Sequence, residues 1–408
     1  INGRTSDDTT YDFYLDADDY YIRIEDYYHT NRPYTFQVNY VENDLTEKEN
    51  NNAFDSATEI PVNTEIKGAF AVDDDVDTYH FVLDAPGEVV LHHRHEYFDK
   101  GDTYYIISLY SNKQSDALLF SDKLTGRSSD WTRYAVYLPA GDYYLQYKDY
   151  YWTTTPYSFT IDYTPMETIE IEWNDSYKDA TALDLNTAYT GSLMSDDDKD
   201  YYTFTLDELS EIVIQFQFEY FDKGDTYFKL FLDTESQNNT CYYSTNLSGR
   251  DNDISTYPFY LPAGTYYFHV ESYYHTTRPY NLTINANSCT DAEEEWNNSY
   301  ATATQISVGQ NMKGAIRYKE DVDYYVLNIT ETQTVSIRLQ HEWFDKGDIY
   351  YQAFLDAEAN NRNRLLTMKA SGRDADVVSD AITLNPGVYY LSVGSYYQTG
   401  IPYILSVE

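Results

Sequence analysis

The chain has 408 residues, 68 Asp and Glu against 27 Lys and Arg, a formal net charge of −41, and 48 tyrosines. So acidic a balance excludes nucleic acid as a natural partner, because phosphate binding needs clustered Lys and Arg to displace counterions. The aromatic content excludes a disordered acidic tail; no apolar run approaches the roughly 18 residues of a membrane span, and Ile1–Asp8 has neither the basic nor the apolar region of a leader.

Self-similarity sets the domain count. Phe-Asp-Lys-Gly-Asp recurs at Phe98–Asp102, Phe221–Asp225 and Phe344–Asp348, with a spacing of 123 residues. Gly-Arg recurs at Gly3, Gly126, Gly249 and Gly372, and Pro-Tyr at Pro33, Pro156, Pro279 and Pro402, in the same register. Residues 1–42 therefore match the back third of a repeat, and three full repeats follow at 43–163, 164–286 and 287–408. Since the chain opens in mid-repeat, the array is expected to extend upstream. A period this long implies one domain per repeat, since solenoid repeats run about 20 to 50 residues.

Along each repeat the elements come in one order. An acidic motif opens it: Glu47-x-Glu49-x-Asn51-Asn52, Glu170-x-Glu172-x-Asn174-Asp175, Glu293-x-Glu295-x-Asn297-Asn298. A short helical turn is expected near Ser56–Thr58 and Asp179–Thr181. A second acidic cluster follows at Asp73–Asp75 with Asp77, Asp196–Asp198 with Asp200, and Glu320–Asp321 with Asp323. Alternation then predicts a strand with Tyr79, Phe81 and Leu83 inward, and likewise Tyr202, Phe204, Leu206 and Tyr325, Leu327, Ile329. The loop at Glu96–Asp102, with copies from Glu219 and Glu342, reads as a Gly-containing turn in preference to a docking knob. His95-Glu96 and His341-Glu342 lack the second His of a zinc protease. After the Leu-Pro-Ala-Gly turn, Tyr143, Leu145 and Tyr147 (Tyr266, Phe268, Val270; Tyr389, Leu391, Val393) face the core, and Tyr144, Gln146 and Lys148 face water.

An aromatic loop follows, with Tyr27 and Tyr28, then Tyr150, Tyr151 and Trp152, then Tyr273 and Tyr274, then Tyr396 and Tyr397. These rings are suited equally to an interface or ligand contact and to closing the end of a sandwich. A last strand carries Tyr157, Phe159 and Ile161, then Tyr280, Leu282 and Ile284, then Tyr403, Leu405 and Val407. Strands separated by Gly, Pro, Asn and Asp, with no helical period, predict an all-β protein of tandem antiparallel β-sandwiches. Cys241 and Cys289, in neighbouring repeats, are candidates for a disulfide, with two free thiols the alternative.

Several carboxylates brought together repel one another unless a cation neutralises them. A hard cation with about six to eight oxygen ligands suits carboxylates and Asn carbonyls, which makes calcium the candidate. On spacing alone, solvated acidic loops account for the pattern equally well.

Glu172–Thr181 (Glu-Trp-Asn-Asp-Ser-Tyr-Lys-Asp-Ala-Thr), Gly191–Leu193 with Asp196–Phe204, and Leu261–Tyr267 resemble the bacterial pre-peptidase C-terminal domains, the family that includes the collagen-binding domains of clostridial collagenases. The resemblance runs through all three repeats on short motifs. It implies a jelly-roll-like β-sandwich, secretion, and calcium held between the N-terminal linker and an acidic loop. Carried over by position, the implied ligands are Glu47, Glu49, Asn51, Asn52, Asp74 and Asp77, then Glu170, Glu172, Asn174, Asp175, Asp197 and Asp200. In the third repeat they are Glu293, Glu295, Asn297, Asn298, Glu320 and Asp323, where Glu320 departs from the Asp of the other copies. No nucleophile elbow, phosphate loop or paired-cysteine metal motif is present, so the expected protein is non-catalytic. Two functions fit. One is an extracellular or cell-surface fibre, stalk or adhesive array, stiffened by calcium and self-associating. The other is a set of modules that target a secreted hydrolase to collagen-like protein or polysaccharide.

Overall fold

Two-residue alternation between Gly, Pro and Asn turns produces strands nearly throughout. The only helical element assigned among the described residues is the 3-10 turn Phe54–Ser56, and none of their helices is long and apolar enough to cross a membrane. The computed structural model of the chain describes residues 8–408 apart from 27–31, 71–74, 114–116, 151–154, 196–197, 223, 225, 235–240, 273–277, 318–320, 361–362 and 396–399. It forms two compact units, Ile1–Ile171 and Glu172–Glu408.

In the first unit, one sheet has the order Thr58–Glu59, Val76–Leu83, Gly141–Asp149, Thr103–Tyr110, Leu118–Thr125. The other runs Ile66–Gly68, Tyr157–Pro165, Gly87–His95, Asp130–Thr132, with Val136–Leu138 also on Gly87–His95. All pairs are antiparallel except Thr58–Glu59 on Val76–Leu83. The second unit repeats both sheets twice, over residues 181–288 and 304–407, with one small sheet of the last copy split off as Gln333–Val335 on Ile382–Leu384. Inward residues of both sheets meet in one core per copy: Phe204, Leu230 and Phe268 with Ile214, Phe216 and Leu282 in one, and Leu327, Leu355 and Leu391 with Ile337, Leu339 and Leu405 in the next. These are antiparallel β-sandwiches, as the alternation requires.

The strand faces match the inward assignments, with Tyr79, Tyr147 and Tyr202 wholly buried. The outer face of the central strand is drier than predicted, since Tyr144 and Gln146 are also buried. The segment following the first acidic motif covers them. Phe54 packs edge-on against Tyr144 at 5.6 Å, and Gln146 donates to Thr78 Oγ1 at 3.2 Å. Tyr177 and Tyr300 cover Tyr267 and Tyr390 in the same way, at 5.3 and 5.2 Å. The 3-10 turn lies at Phe54–Ser56, two residues before the expected position, and Asp179–Thr181 carries no helical turn.

Cys241 and Cys289 are free thiols, which corrects the proposed disulfide. Cys241 opens an edge strand of one sheet, while Cys289 follows the Pro279–Ser288 strand of the other. Packed sheets lie about 10 Å apart, whereas a disulfide needs Cβ atoms about 4 Å apart. The Phe-Asp-Lys-Gly-Asp loop is a pinned turn. Asp99, Asp222 and Asp345 accept from Arg127, Arg250 and Arg373 at 2.9, 2.9 and 2.8 Å. Each preceding Gly lies against a Phe of the loop, so a Cβ at Gly126 would stand 2.4 Å from the Phe98 ring. The Arg–Asp pair and this close approach explain why the two motifs recur together.

Residues 8–26 and 32–42 form no strand, although Tyr34, Phe36 and Val38 repeat the pattern of Tyr157, Phe159 and Ile161. All three are more than 60% exposed.

One core position distinguishes the first unit. His93 is buried between Tyr105 and Tyr147 where the next copy has Phe216, and its Nε2 lies 2.9 Å from His95 Nδ1. Burial, and secondarily His95, lowers its pKa to about 3. An unfolded His takes up its proton near pH 6.5 while this one does not, so stability is lost as pH falls from about 6.5 towards 3, by up to roughly 1.4 kcal/mol per pH unit. His93→Phe should flatten that part of the acid limb of the first unit's unfolding free energy between pH 6.5 and 4. Denaturant melts across that range, compared with the wild type, check it.

Candidate metal centre

The acidic motif is drawn under each sandwich by its backbone. Glu47 N–H donates to Lys67 O at 2.9 Å, Lys67 N–H to Leu45 O at 3.1 Å, and Thr78 N–H to Asn51 O at 3.1 Å. The third copy repeats these bonds through Glu293 with Lys313 and Tyr324 with Asn297, at 2.8 and 3.0 Å. A threonine seven residues on sets the amide. Asn51 Nδ2 donates to Thr58 Oγ1 at 3.3 Å, and Asn174 and Asn297 do the same to Thr181 and Thr304 at 3.4 and 3.5 Å. With the NH2 group engaged there, each Oδ1 turns the other way, buried and without a hydrogen-bond donor.

The first Glu is tied on both oxygens. Glu47 Oε1 accepts from Ala69 N–H at 2.8 Å, and Oε2 from Tyr79 OH at 3.3 Å. Tyr79 OH lies 2.8 Å from Tyr157 OH, which donates to Asp77 Oδ2 at 2.5 Å. The chain Glu–Tyr–Tyr–Asp recurs as Glu293, Tyr325, Tyr403 and Asp323, with the Tyr325 bonds at 3.0 and 2.7 Å. In the second copy Tyr202 and Tyr280 are 2.8 Å apart and Tyr280 donates to Asp200. Gly68 and Gly314 make room for the phenols, since a Cβ there would lie about 2.5 Å from them.

One Asp oxygen is thus held by tyrosine and the other faces the centre. Oxygens of Glu49, Asp75 and Asp77 lie within 4.8 Å of one another, as do those of Glu293, Glu295 and Asp323, and of Glu172 and Asp200. Glu49 Oε1, Asn51 Oδ1 and Asp77 Oδ1 are buried with no donor, as are both oxygens of Glu172, Asn174 Oδ1, Glu295 Oε2, Asn297 Oδ1 and Asp323 Oδ1. Burial, and then the Asp75 charge, pushes Glu49 up to about 7. Burial raises Asp77 to about 8 and Asp198 to about 9, and lifts Glu172, Glu295 and Asp323 well above the usual carboxylate range. Acceptors without donors, packed at mutually repelling distance, are of the kind that could hold a hard cation.

Asp74, Asp197 and Glu320 lie outside the described residues. Their neighbours Asp75, Asp198 and Asp321 are buried and identical in all three copies. The sequence departure at Glu320 therefore falls beside the buried acid. Asn52 and Asp175 are exposed and Asn298 half-buried. Asp175 and Asn298 accept from Lys199 and Val322 N–H at 3.4 and 3.2 Å, pinning the acidic loop from its rim. Glu170 is wholly buried. Of the aromatic loop, Tyr150 is described and exposed, while Tyr27, Tyr28, Tyr151, Trp152, Tyr273, Tyr274, Tyr396 and Tyr397 lie outside the described residues. The tyrosine pair and the Asn–Thr hinge were not assigned to the site from sequence, although both recur in register in every copy.

The chain is 26% identical over 237 residues to collagenase ColT of Clostridium tetani, which covers 56% of this chain and 22% of that protein. It is 28% identical over 117 residues to collagenase ColA of Clostridium perfringens, covering 28% of this chain and 10% of that one. The chain is thus similar to a part of each of these clostridial collagenases. A solved pre-peptidase C-terminal domain of a Bacillus anthracis collagenase matches 26% of the chain over 94% of its own length, at 24% identity and a TM-score of 0.23. No family model matches. The chain spans about a fifth of the first collagenase and a tenth of the second.

Tyr157→Phe removes the donor to Asp77 and leaves a buried carboxylate oxygen unpaired. It should cost about 1–3 kcal/mol in urea unfolding of the first unit.

Proposed function

We propose that this chain is a non-catalytic extracellular array of calcium-stabilised modules that bring a hydrolase to a fibrous protein such as collagen. The similarity to collagenases carries the reading, because it lies in a minor part of those enzymes. It favours targeting over the self-associating fibre, stalk or adhesive array. The absence of catalytic motifs from the sequence supports a binding role. So do the loop aromatics Tyr97, Tyr220 and Trp343, which are 58, 53 and 58% exposed on turns fixed by the Arg–Asp pairs. Rigid aromatics give contact area at little entropic cost.

Glu49, Asn51, Asp75 and Asp77 would hold calcium in the first repeat, and Glu172, Asn174, Asp198 and Asp200 in the second. In the third, Glu293, Glu295, Asn297, Asp321 and Asp323 would do so. The ion supplies the positive charge that these oxygens lack. The residues themselves fix the linker: Asn51 holds it to Thr58 and Thr78, and Glu47 joins it to the tyrosine pair.

Calcium should bind with a stoichiometry of three and raise the melting temperature, and Glu49→Gln should reduce the count to two. Titration calorimetry and melts in calcium and in chelator read this out, and an unchanged melt with no binding heat removes calcium from the proposal. On an immobilised triple-helical collagen-like peptide, the calcium-loaded chain should be retained. Tyr97→Ala, Tyr220→Ala and Trp343→Ala together should weaken retention at least tenfold without lowering the melting temperature. Failure of the unmodified chain to bind counts against targeting, whatever the calcium result.

A further inference from the structure

The third acidic centre differs from the others in what lies behind its carboxylates. Tyr242, which belongs to the second repeat, is wholly buried and donates from its hydroxyl to Glu295 Oε1 at 2.9 Å, leaving Oε2 to the centre. Its ring meets Trp296, the residue after Glu295, edge-on at 5.2 Å. A second tether acts on the opposite wall. Arg317 N–H donates to Asp321 Oδ2 at 2.6 Å, while the guanidinium of the same residue donates to Tyr257 O at 2.5 Å and stacks over Phe259 at 4.4 Å. Tyr257 and Phe259, like Tyr242, are residues of the second repeat. Two acids of the centre are therefore oriented by groups that engage the preceding sandwich.

The other copies carry no such pair. Leu119 and Leu365 stand at the positions equivalent to Tyr242, and Ala71 and Met194 at those equivalent to Arg317. Met194 N–H still donates to Asp198, so the second and third copies share the backbone half of the tether, and the guanidinium half comes with Arg317.

Resting on the calcium reading above, we infer that Tyr242 and Arg317 are positioning residues that link cation binding at Glu295, Asn297, Asp321 and Asp323 to the docking of the second repeat on the third. Linkage is reciprocal: a docked second repeat raises the affinity of this centre, and the ion tightens the docking by the same factor. Groups that orient metal ligands are typically worth about tenfold or more in affinity. The centres lacking Tyr242 and Arg317 bind independently of any such contact.

The test uses the whole chain and calcium alone. Tyr242→Phe removes only the hydroxyl, and Tyr242→Leu installs the side chain found in both other repeats. Arg317→Met installs the residue of the second repeat and keeps the Asp321 bond. Each should weaken one of three calcium sites about tenfold in calorimetry. In a Glu295→Gln background, Tyr242→Phe should have no further effect. Hydrogen exchange supplies a readout away from the ligands. In the unmodified chain calcium should slow exchange of 241–243 and 257–261, and in Tyr242→Phe it should not, while Glu49→Gln leaves that slowing intact. Three unchanged affinities in Tyr242→Phe, or calcium-independent exchange at 257–261, would overturn the inference and leave the calcium reading standing. An unmodified chain that binds no calcium overturns both.

Discussion

Each sandwich buries carboxylates within a few ångströms of one another. Taking an ionised carboxylate out of water is expensive, and a second one beside it adds repulsion on top of lost hydration. Each centre must therefore hold protons or a cation, and the raised pKa values of Glu49, Asp77 and Asp198 express that demand. The rest of the structure is arranged to keep the acids in place. The tyrosine pair occupies one oxygen of Asp77, the threonine turns Asn51 Oδ1 towards the centre, and backbone N–H groups secure Glu47.

The same arrangement ties the chain entry to the sandwich. The acidic motif bonds to an edge strand on one side and to the strand of Tyr79 on the other, and Phe54, Tyr177 or Tyr300 then lies across the outer face of the central strand. Charge balance at the centre and cover for an otherwise wet sheet face thus depend on one short segment. This accounts for a motif that opens the repeat being as regular as the core strands, although little of it is regular secondary structure.

Repeats with the same frame need not have the same surfaces. His93 sits in a core position that the next copy fills with Phe216, and Tyr242 replaces a leucine to reach Glu295. The framework tolerates these changes because the alternation, the Gly close to Phe98 and the Arg–Asp pair fix the backbone independently of them. Local differences can then change how one unit meets another without altering the sandwich.

Much of this was legible in the residues alone. A period of 123, the inward faces of Tyr79–Leu83 and Tyr157–Ile161, and the two acidic clusters follow from spacing, since side-chain direction in a strand is set by the backbone. Spacing does not say which acids of a cluster are buried, since that depends on the path of a loop against its neighbours, so the burial of Asp75 was not legible. Nor does it reveal what covers the far face of a strand, as Tyr144 and Gln146 illustrate. Composition and periodicity determined the repeat, the β class and the faces. Only tertiary contacts decided which oxygens converge, which rings cover them, and that the two cysteines stay unbonded.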